Sequence, residues 1–342
     1  MTVAVMILAA GQGTRMLSKK QKILHEVGGK PMVSHAFAAA QSVASLPPVL
    51  IVGPGEDGVR SLFGEQAEYV VQPEQLGTGH AAMMGKGVLN GRSSQVIVTY
   101  GGMPRLRSET MACLAQKQVE TGAAVVMLSV MGASTSSFGR VVRGDEGHGS
   151  VLEIVEVAEA KQRANTAEIL AIRELNAGVY CFDAQFLWDN IDHLPLRRAR
   201  SGHEYYLTDM IGLAVAQNRL VEAIAVSDPD ECLGAGTRSE LVDVEKAFRR
   251  RANGRFLAQG VTLIDPATTY IDQDVEIGQD TIIWPNSYVQ GQTIIGADCV
   301  IGPNTIVRDA RVGDGCVIEQ AVVEGVTVAA ATRVAPFSYR KL

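Results

Sequence analysis

IDQDVEIGQDTIIWPNSYVQGQTIIGADCVIGPNTIV, Ile271–Val307, carries a branched aliphatic residue at every sixth position: Ile271, Ile277, Ile283, Val289, Ile295, Ile301 and Val307. Seven consecutive hits in one register are hard to obtain by chance. In a hexapeptide repeat of this kind, each short strand turns one aliphatic side chain inward, and three hexads close one coil of a left-handed parallel β-helix. Gly278, Asn286, Gly296, Gly302 and Asn304 supply the corners. The repeat continues less regularly through Val312 and Ile318 and ends near Val328. This predicts three to four coils within residues 261–342, with an open end that needs a cap or a partner subunit.

Upstream of Asp265-Pro266 the grammar differs. Residues 237–260 read as a linker helix, with apolar residues at helical spacing and a basic segment, Arg249, Arg250 and Arg251, whose stems are expected to pack on neighbours while the charges face water. Residues 1–236 alternate short β-rich runs (VAVMILAA, PPVLIVG, AEYVVQ, SQVIVTY) with helical stretches such as PMVSHAFAAAQSVA and GTGHAAMMGKGVL. Such alternation predicts βαβ units around a mostly parallel sheet covered by helices. VMILAA and VIVTY have no polar alternate face and suit strands buried on both sides. RGDEGHG, with Gly144 and Gly149, reads as the tip of a hairpin; residues 157–173 are helical in tone, and the sheet resumes at NAGVYCF.

A chain of 342 residues exceeds the usual growth of one core, so two domains are expected. With 46% hydrophobic and 20% charged residues the composition is that of a globular protein, and the net charge of -6 argues against nucleic acid as a partner. Cys113, Cys181, Cys232, Cys299 and Cys316 form no CxxC pair, so neither a zinc site nor a disulfide framework is expected. MTVAVMILAA lacks a basic n-region and reads as a buried first strand rather than a signal peptide. No stretch is long enough to span a bilayer, so no membrane partner and a cytoplasmic location are expected.

The chemistry concentrates in LAAGQGTRM, Leu8–Met16, followed by Lys22. A strand ends at Ala10, and Gly11 and Gly13 let the backbone turn tightly so that amide N–H groups can approach phosphates while Arg15 adds fixed charge. The P-loop and dinucleotide fingerprints both fail, the second because Met16 stands where a third glycine is required. QPEQLGTGHA, Gln72–Ala81, offers two amides, Gln72 and Gln75, able to pair with a pyrimidine edge, beside Gly77 and Thr78.

Together these strings resemble the signature of nucleotide-sugar pyrophosphorylases. The second narrows the resemblance to the N-acetylglucosamine-1-phosphate uridylyltransferase part of GlmU-type proteins, and the likeness covers nearly the whole chain. It implies a Rossmann-like, GT-A-like nucleotidyltransferase domain and trimerisation through the β-helix. The reaction implied is attack of a sugar 1-phosphate on the α-phosphorus of UTP with release of pyrophosphate, Arg15 and Lys22 serving the phosphates. Leu8, Ala10, Gly11, Gly13, Gln72, Gln75, Gly77 and Thr78 would bind nucleotide, with a uracil contact at the glutamines. Tyr100, Gly139, Glu156, Asn176, Glu204, Tyr206 and Thr208 fall in the order of the family's sugar stations.

The family also implies Mg²⁺, and here the chain departs from it. Relatives carry a magnesium-binding aspartate in a Gly-Asp-x-Pro-Leu string, but this chain reads GGMPRL, with Gly102 and Arg105 at the aspartate and leucine positions. GAGTR puts Gly236 where the family has an asparagine, and Ala158 replaces a basic residue after Glu156. Glycine offers no side-chain oxygen to a metal. Three readings stay open: a weakened uridylyltransferase that holds Mg²⁺ through its substrates, a non-catalytic nucleotide-sugar-binding paralogue acting as sensor or partner, and a pyrophosphorylase for another sugar or nucleotide. The acetyltransferase activity of longer relatives is not expected, because the chain ends in PFSYRKL after a few coils.

Overall fold

Strand Val3–Ala9 feeds two cores at once: Ala4, Met6 and Leu8 enter one, and Val5, Ile7 and Ala9 the other. That is the physical reason its sequence has no polar face. The computed structural model describes residues 1–55, 57–132, 138–144, 149–199 and 202–341. They divide into two compact units, Met1–His25 with Met32–Thr237, and Glu26–Pro31 with Arg238–Leu342.

In the first unit the sheet order is Val221–Ala225, Val125–Met131, Glu174–Asp183, Gln95–Tyr100, Val3–Ala9, Val49–Val52 and Glu68–Val71. Every neighbouring pair on this path is parallel except the two made by Glu174–Asp183, which runs antiparallel to both its neighbours. The chain leaves Val3–Ala9 toward one edge and returns to its other side at Gln95–Tyr100, so the strand order reverses there. At such a reversal the loops beyond the strands' carboxyl ends diverge and leave a crevice. The expected hairpin pairs Arg140–Arg143 with Val151–Val155; of its expected tip, residues 145–148 lie outside the described residues. The helical tone of 157–173 resolves into two short helices, Val157–Ala160 and Thr166–Ala171.

The second unit is a left-handed β-helix built on three parallel sheets of five, five and four strands. Nearly five coils therefore replace the three to four expected, the first beginning at Thr262–Leu263 and the last reaching Tyr339–Lys341. The shortfall has a geometric cause. Pairing runs eighteen residues per coil at Ile282↔Val300, seventeen at Ile294↔Arg311 and sixteen at Ile306↔Val322. Corners shorten while the inward side chains stay stacked, so Val312, Ile318, Val323, Val328 and Val334 remain buried although the six-residue register is gone.

Corner residues meet two different demands. Asn286, Gly302 and Asn304 take positive φ, at 58°, 95° and 52°, a region that Gly and Asn enter most easily. Gly278 and Gly296 are needed for space, since a Cβ there would lie 2.5 and 2.2 Å from atoms of the next coil. The helix Arg238–Ala258 belongs to this unit: Phe256 enters the coil core, and Asn253 Nδ2 donates to the Pro266 and Thr269 carbonyls. Arg249 stacks its guanidinium 4.3 Å from the Tyr270 ring centroid, while Arg250 and Arg251 are exposed. All five cysteines are free thiols, and no helix among the described residues is long and apolar enough to cross a membrane.

Candidate active site

The crevice at the strand-order reversal is a cavity of about 460 Å³, entered by Ala10 and Gly11 from one strand end and by Tyr100 and Gly102 from the next. Gln75 ties its floor together by donating an amide N–H to the Ala10 carbonyl at 2.6 Å. Gln72 donates to the Gly77 carbonyl at 3.2 Å and lies 3.0 Å from His80 Nδ1. Both glutamines line the cavity, yet each spends an amide N–H inside the protein, which fixes how the rest of the amide is presented.

Gly77 must be glycine twice over: its φ is +94°, and a Cβ would lie 2.6 Å from the Tyr205 carbonyl oxygen. This close approach brings Glu204, Tyr206 and Thr208 into the cavity beside Thr78, whose hydroxyl accepts from the Leu207 N–H at 3.1 Å. Glu204 lies on the second strand of a hairpin, Leu196–Ala199 with Gly202–Tyr205, and Tyr206 and Thr208 follow it; the sequence did not point to this hairpin.

A bulge in Glu174–Asp183 makes the third wall. Pairing shifts register between Asn176 and Tyr180, and Gly178, at φ +83°, leaves room for the Tyr100 ring 2.7 Å from where its Cβ would be. Bulges re-aim side chains, and here Asn176 Oδ1 accepts from the Gly178 N–H and the Tyr180 hydroxyl at 2.9 and 3.0 Å. Glu156 also lines the cavity, and burial, helped by Glu159 and Asp209, pushes its carboxyl above the usual range. Burial, with the Glu156 charge second, pushes the Tyr100 hydroxyl up to about 12, so it remains a donor at any working pH.

Of the residues expected at a site, Leu8, Ala10, Gly11, Lys22, Gln72, Gln75, Gly77, Thr78, Tyr100, Glu156, Asn176, Glu204, Tyr206 and Thr208 meet in this one cavity. Three do not line it. Arg15 is exposed on the turn Thr14–Met16. Gly13 acts from behind, since a Cβ there would overlap the Lys22 Cβ at 2.4 Å. Gly139 supports the wall, its carbonyl accepting from the Asn176 N–H at 2.9 Å. Tyr180, Ile23 and Leu207 line the cavity without having been foreseen; strand alternation from Asn176 could have pointed to Tyr180. A second cavity of about 330 Å³ shares Ala10, Gly11 and Gln75 with the first and adds Lys19 and Lys20.

Gly102 lines the cavity and Gly236 does not. A Cβ at Gly102 would lie 3.5 Å from both Cε and Nζ of Lys22. Arg105, buried, donates to the Asp230 carbonyl at 3.2 Å and reaches the carboxylates of Asp228 and Asp230 at 3.4 and 3.7 Å. Arg107 pairs with buried Glu231 at 2.7 Å. Among the described residues no group of three or more His, Cys, Asp or Glu is placed to hold a metal ion.

The profile of the MobA-like NTP transferase domain matches residues 5–175, and that of the bacterial transferase hexapeptide (six repeats) matches 274–309. The bifunctional protein GlmU of Exiguobacterium sibiricum is 41% identical over 333 residues, covering 97% of this chain and 72% of that protein. GlmU of Geobacillus sp. strain WCH70 is 37% identical over 97% of this chain and 71% of its own length. GlmU of Pelobacter propionicus is 38% identical over 340 residues, 98% of this chain and 72% of the relative.

Proposed function

This chain belongs to the GlmU family and is a nucleotidyltransferase of the UDP-N-acetylglucosamine pyrophosphorylase type, and we propose that it transfers the uridylyl group of UTP to N-acetylglucosamine-1-phosphate. The observation that carries the reading is the single cavity in which the phosphate loop, the paired glutamines and the polar wall of Glu156, Asn176, Glu204 and Tyr206 converge. A phosphate oxygen of the sugar phosphate attacks the α-phosphorus, the bond to the bridging oxygen breaks, and pyrophosphate leaves with that electron pair. Such a transfer asks the protein mainly for alignment and charge neutralisation.

Lys22 meets the phosphates from the wall beside Gly102, with Lys19 and Lys20 in the adjoining cavity along the triphosphate. Gln72 and Gln75 present their amides to the uracil edge. Asn176 Oδ1 is already occupied, which leaves its amide N–H groups for the acetamide or a hydroxyl. Tyr100 donates, and Glu156 takes a sugar hydroxyl. Arg15 engages the triphosphate only if its exposed turn folds inward on nucleotide.

Magnesium is the metal the family implies. These residues do not fit a protein-held ion: Gly102 and Gly236 bring no side-chain oxygen, and the Lys22 ammonium stands against the first. Turnover is accordingly slow relative to the family. A non-catalytic sugar-nucleotide binder is the second reading, favoured by that same pair of glycines. The β-helix forms the trimer surface, and the protein works in the cytoplasm.

Pyrophosphate release from UTP and N-acetylglucosamine-1-phosphate separates the readings, run beside the double variant Gly102→Asp, Gly236→Asn. Release by the unmodified chain supports the transferase; silence that the double variant ends supports the binder. If UDP-N-acetylglucosamine competes no better than other sugar nucleotides, the assigned sugar is wrong.

A further inference from the structure

We infer that this chain binds the phosphates of its nucleotide without a divalent ion, the Lys22 ammonium standing in the place of a protein-held metal; the inference rests on the nucleotide site proposed above.

The geometry is local and constructed. Lys22 opens a short turn, Lys22–Leu24, and its stem packs against Gly13, where any Cβ would lie 2.4 Å from the lysine's own. Gly13 therefore fixes the course of the lysine, and the terminal Cε and Nζ arrive 3.5 Å from the empty side-chain position of Gly102. A carboxylate there would lie on the ammonium. A divalent ion there would meet a like charge at contact range, with no side-chain oxygen from Gly102 to offset it. Lysine instead binds phosphate as a point charge and needs no metal between.

A second observation points the same way. A metal held by residues 102 and 236 would join two loops, and in this chain the protein joins them itself. Arg105 and Arg107, on the loop after Gly102, engage Asp228, Asp230 and Glu231 on the loop before Gly236. Thr110 adds its hydroxyl to Glu231 at 2.7 Å, and Gly234 approaches so closely that a Cβ would lie 3.1 Å from the Gly102 carbonyl oxygen. The loops meet through ion pairs and backbone contact. Arg105, which replaces the apolar residue implied by the family string, is a central part of this bridge.

Calorimetric binding of UTP to the full chain in excess EDTA and in excess Mg²⁺ tests the inference. The expected affinities agree within about threefold, and Lys22→Met lowers the EDTA value by about tenfold or more. Gly102→Asp should make binding Mg²⁺-dependent, since a carboxylate both neutralises the lysine and offers a ligand; circular dichroism of each variant confirms that the fold is retained. Affinity of the unmodified chain that rises about tenfold or more on adding Mg²⁺ overturns the inference and leaves the nucleotide site standing. Absence of UTP binding in both conditions overturns the nucleotide site and the inference with it. As an independent readout, Mn²⁺ in the presence of UTP should show no protein-ligated paramagnetic resonance signal with the unmodified chain and should gain one with Gly102→Asp; a protein-ligated signal in the unmodified chain counts against the inference.

Discussion

The β-helix and the crevice at the strand-order reversal are held together in opposite ways. In the β-helix each inward aliphatic rests on its equivalent one coil away, as Ile283 rests between Leu263 and Ile301. Stability there is a sum of near-identical neighbour contacts. The cavity has no such repetition: Ala10, Gly77, Tyr100, Asn176 and Glu204 reach it from separate segments, held by single hydrogen bonds and by glycines that permit close approach. A defect in the coil should therefore cost packing energy and little else, whereas a defect around the cavity should change what the cavity binds.

The largest effect is expected in the coil. Ile301 is fully buried in the middle of its ladder, and Ile301→Ala should destabilise the coil unit by about 3–4 kcal/mol through lost burial and the cavity left behind. Urea denaturation followed by far-ultraviolet dichroism measures it. A loss below about 1 kcal/mol would mean that neighbouring coils collapse onto the gap, and the additive view of this unit would fail.

A smaller loss with a different signature is expected at Arg105. Removing a buried guanidinium leaves the carboxylates of Asp228 and Asp230 without one of their cationic partners, so Arg105→Met should cost about 2 kcal/mol, partly offset by the exposure of both carboxylates. Unlike the coil variant, it should also weaken UTP binding, because the loop it anchors carries Gly102 into the cavity. Equal UTP affinity in variant and parent would show that the clamp serves stability alone.

The same contrast governs how much could be read from residues. A ladder writes its contacts at a fixed interval, so Ile271 to Val307 announced the coil and its inward faces. The six-residue period fails once corners shorten, because Ile306↔Val322 spans sixteen residues and no period survives a changing interval. The cavity residues were legible only as ordered motifs carrying a resemblance. No spacing rule joins Gly77 to Tyr205, or Gly102 to Lys22, since those contacts are made in three dimensions by close backbone approach. Arg105 was legible as a departure from a pattern, but its acidic partners Asp228 and Asp230 were not, because nothing in sequence links segments over a hundred residues apart.

The smallest stability change is also the most discriminating, and it is expected at Glu156. Burial first, and then the charges of Glu159 and Asp209, hold this carboxyl above the usual carboxylate range. The folded chain therefore keeps a proton that the unfolded chain gives up, and stability falls as pH rises through the interval between the ordinary carboxylate value and the raised one. Glu156→Gln removes that slope. The variant should match its parent below that interval and exceed it in stability near neutral pH. A residue kept at a cost to stability is expected where function requires the charge, so the same variant should lose about tenfold in affinity for N-acetylglucosamine-1-phosphate while holding UTP unchanged. A coil residue could never show this pairing of gained stability with lost binding. If the variant is no more stable at neutral pH, the carboxyl is not strained by its surroundings; if it is more stable and binds the sugar phosphate as before, Glu156 belongs to the wall and not to the substrate.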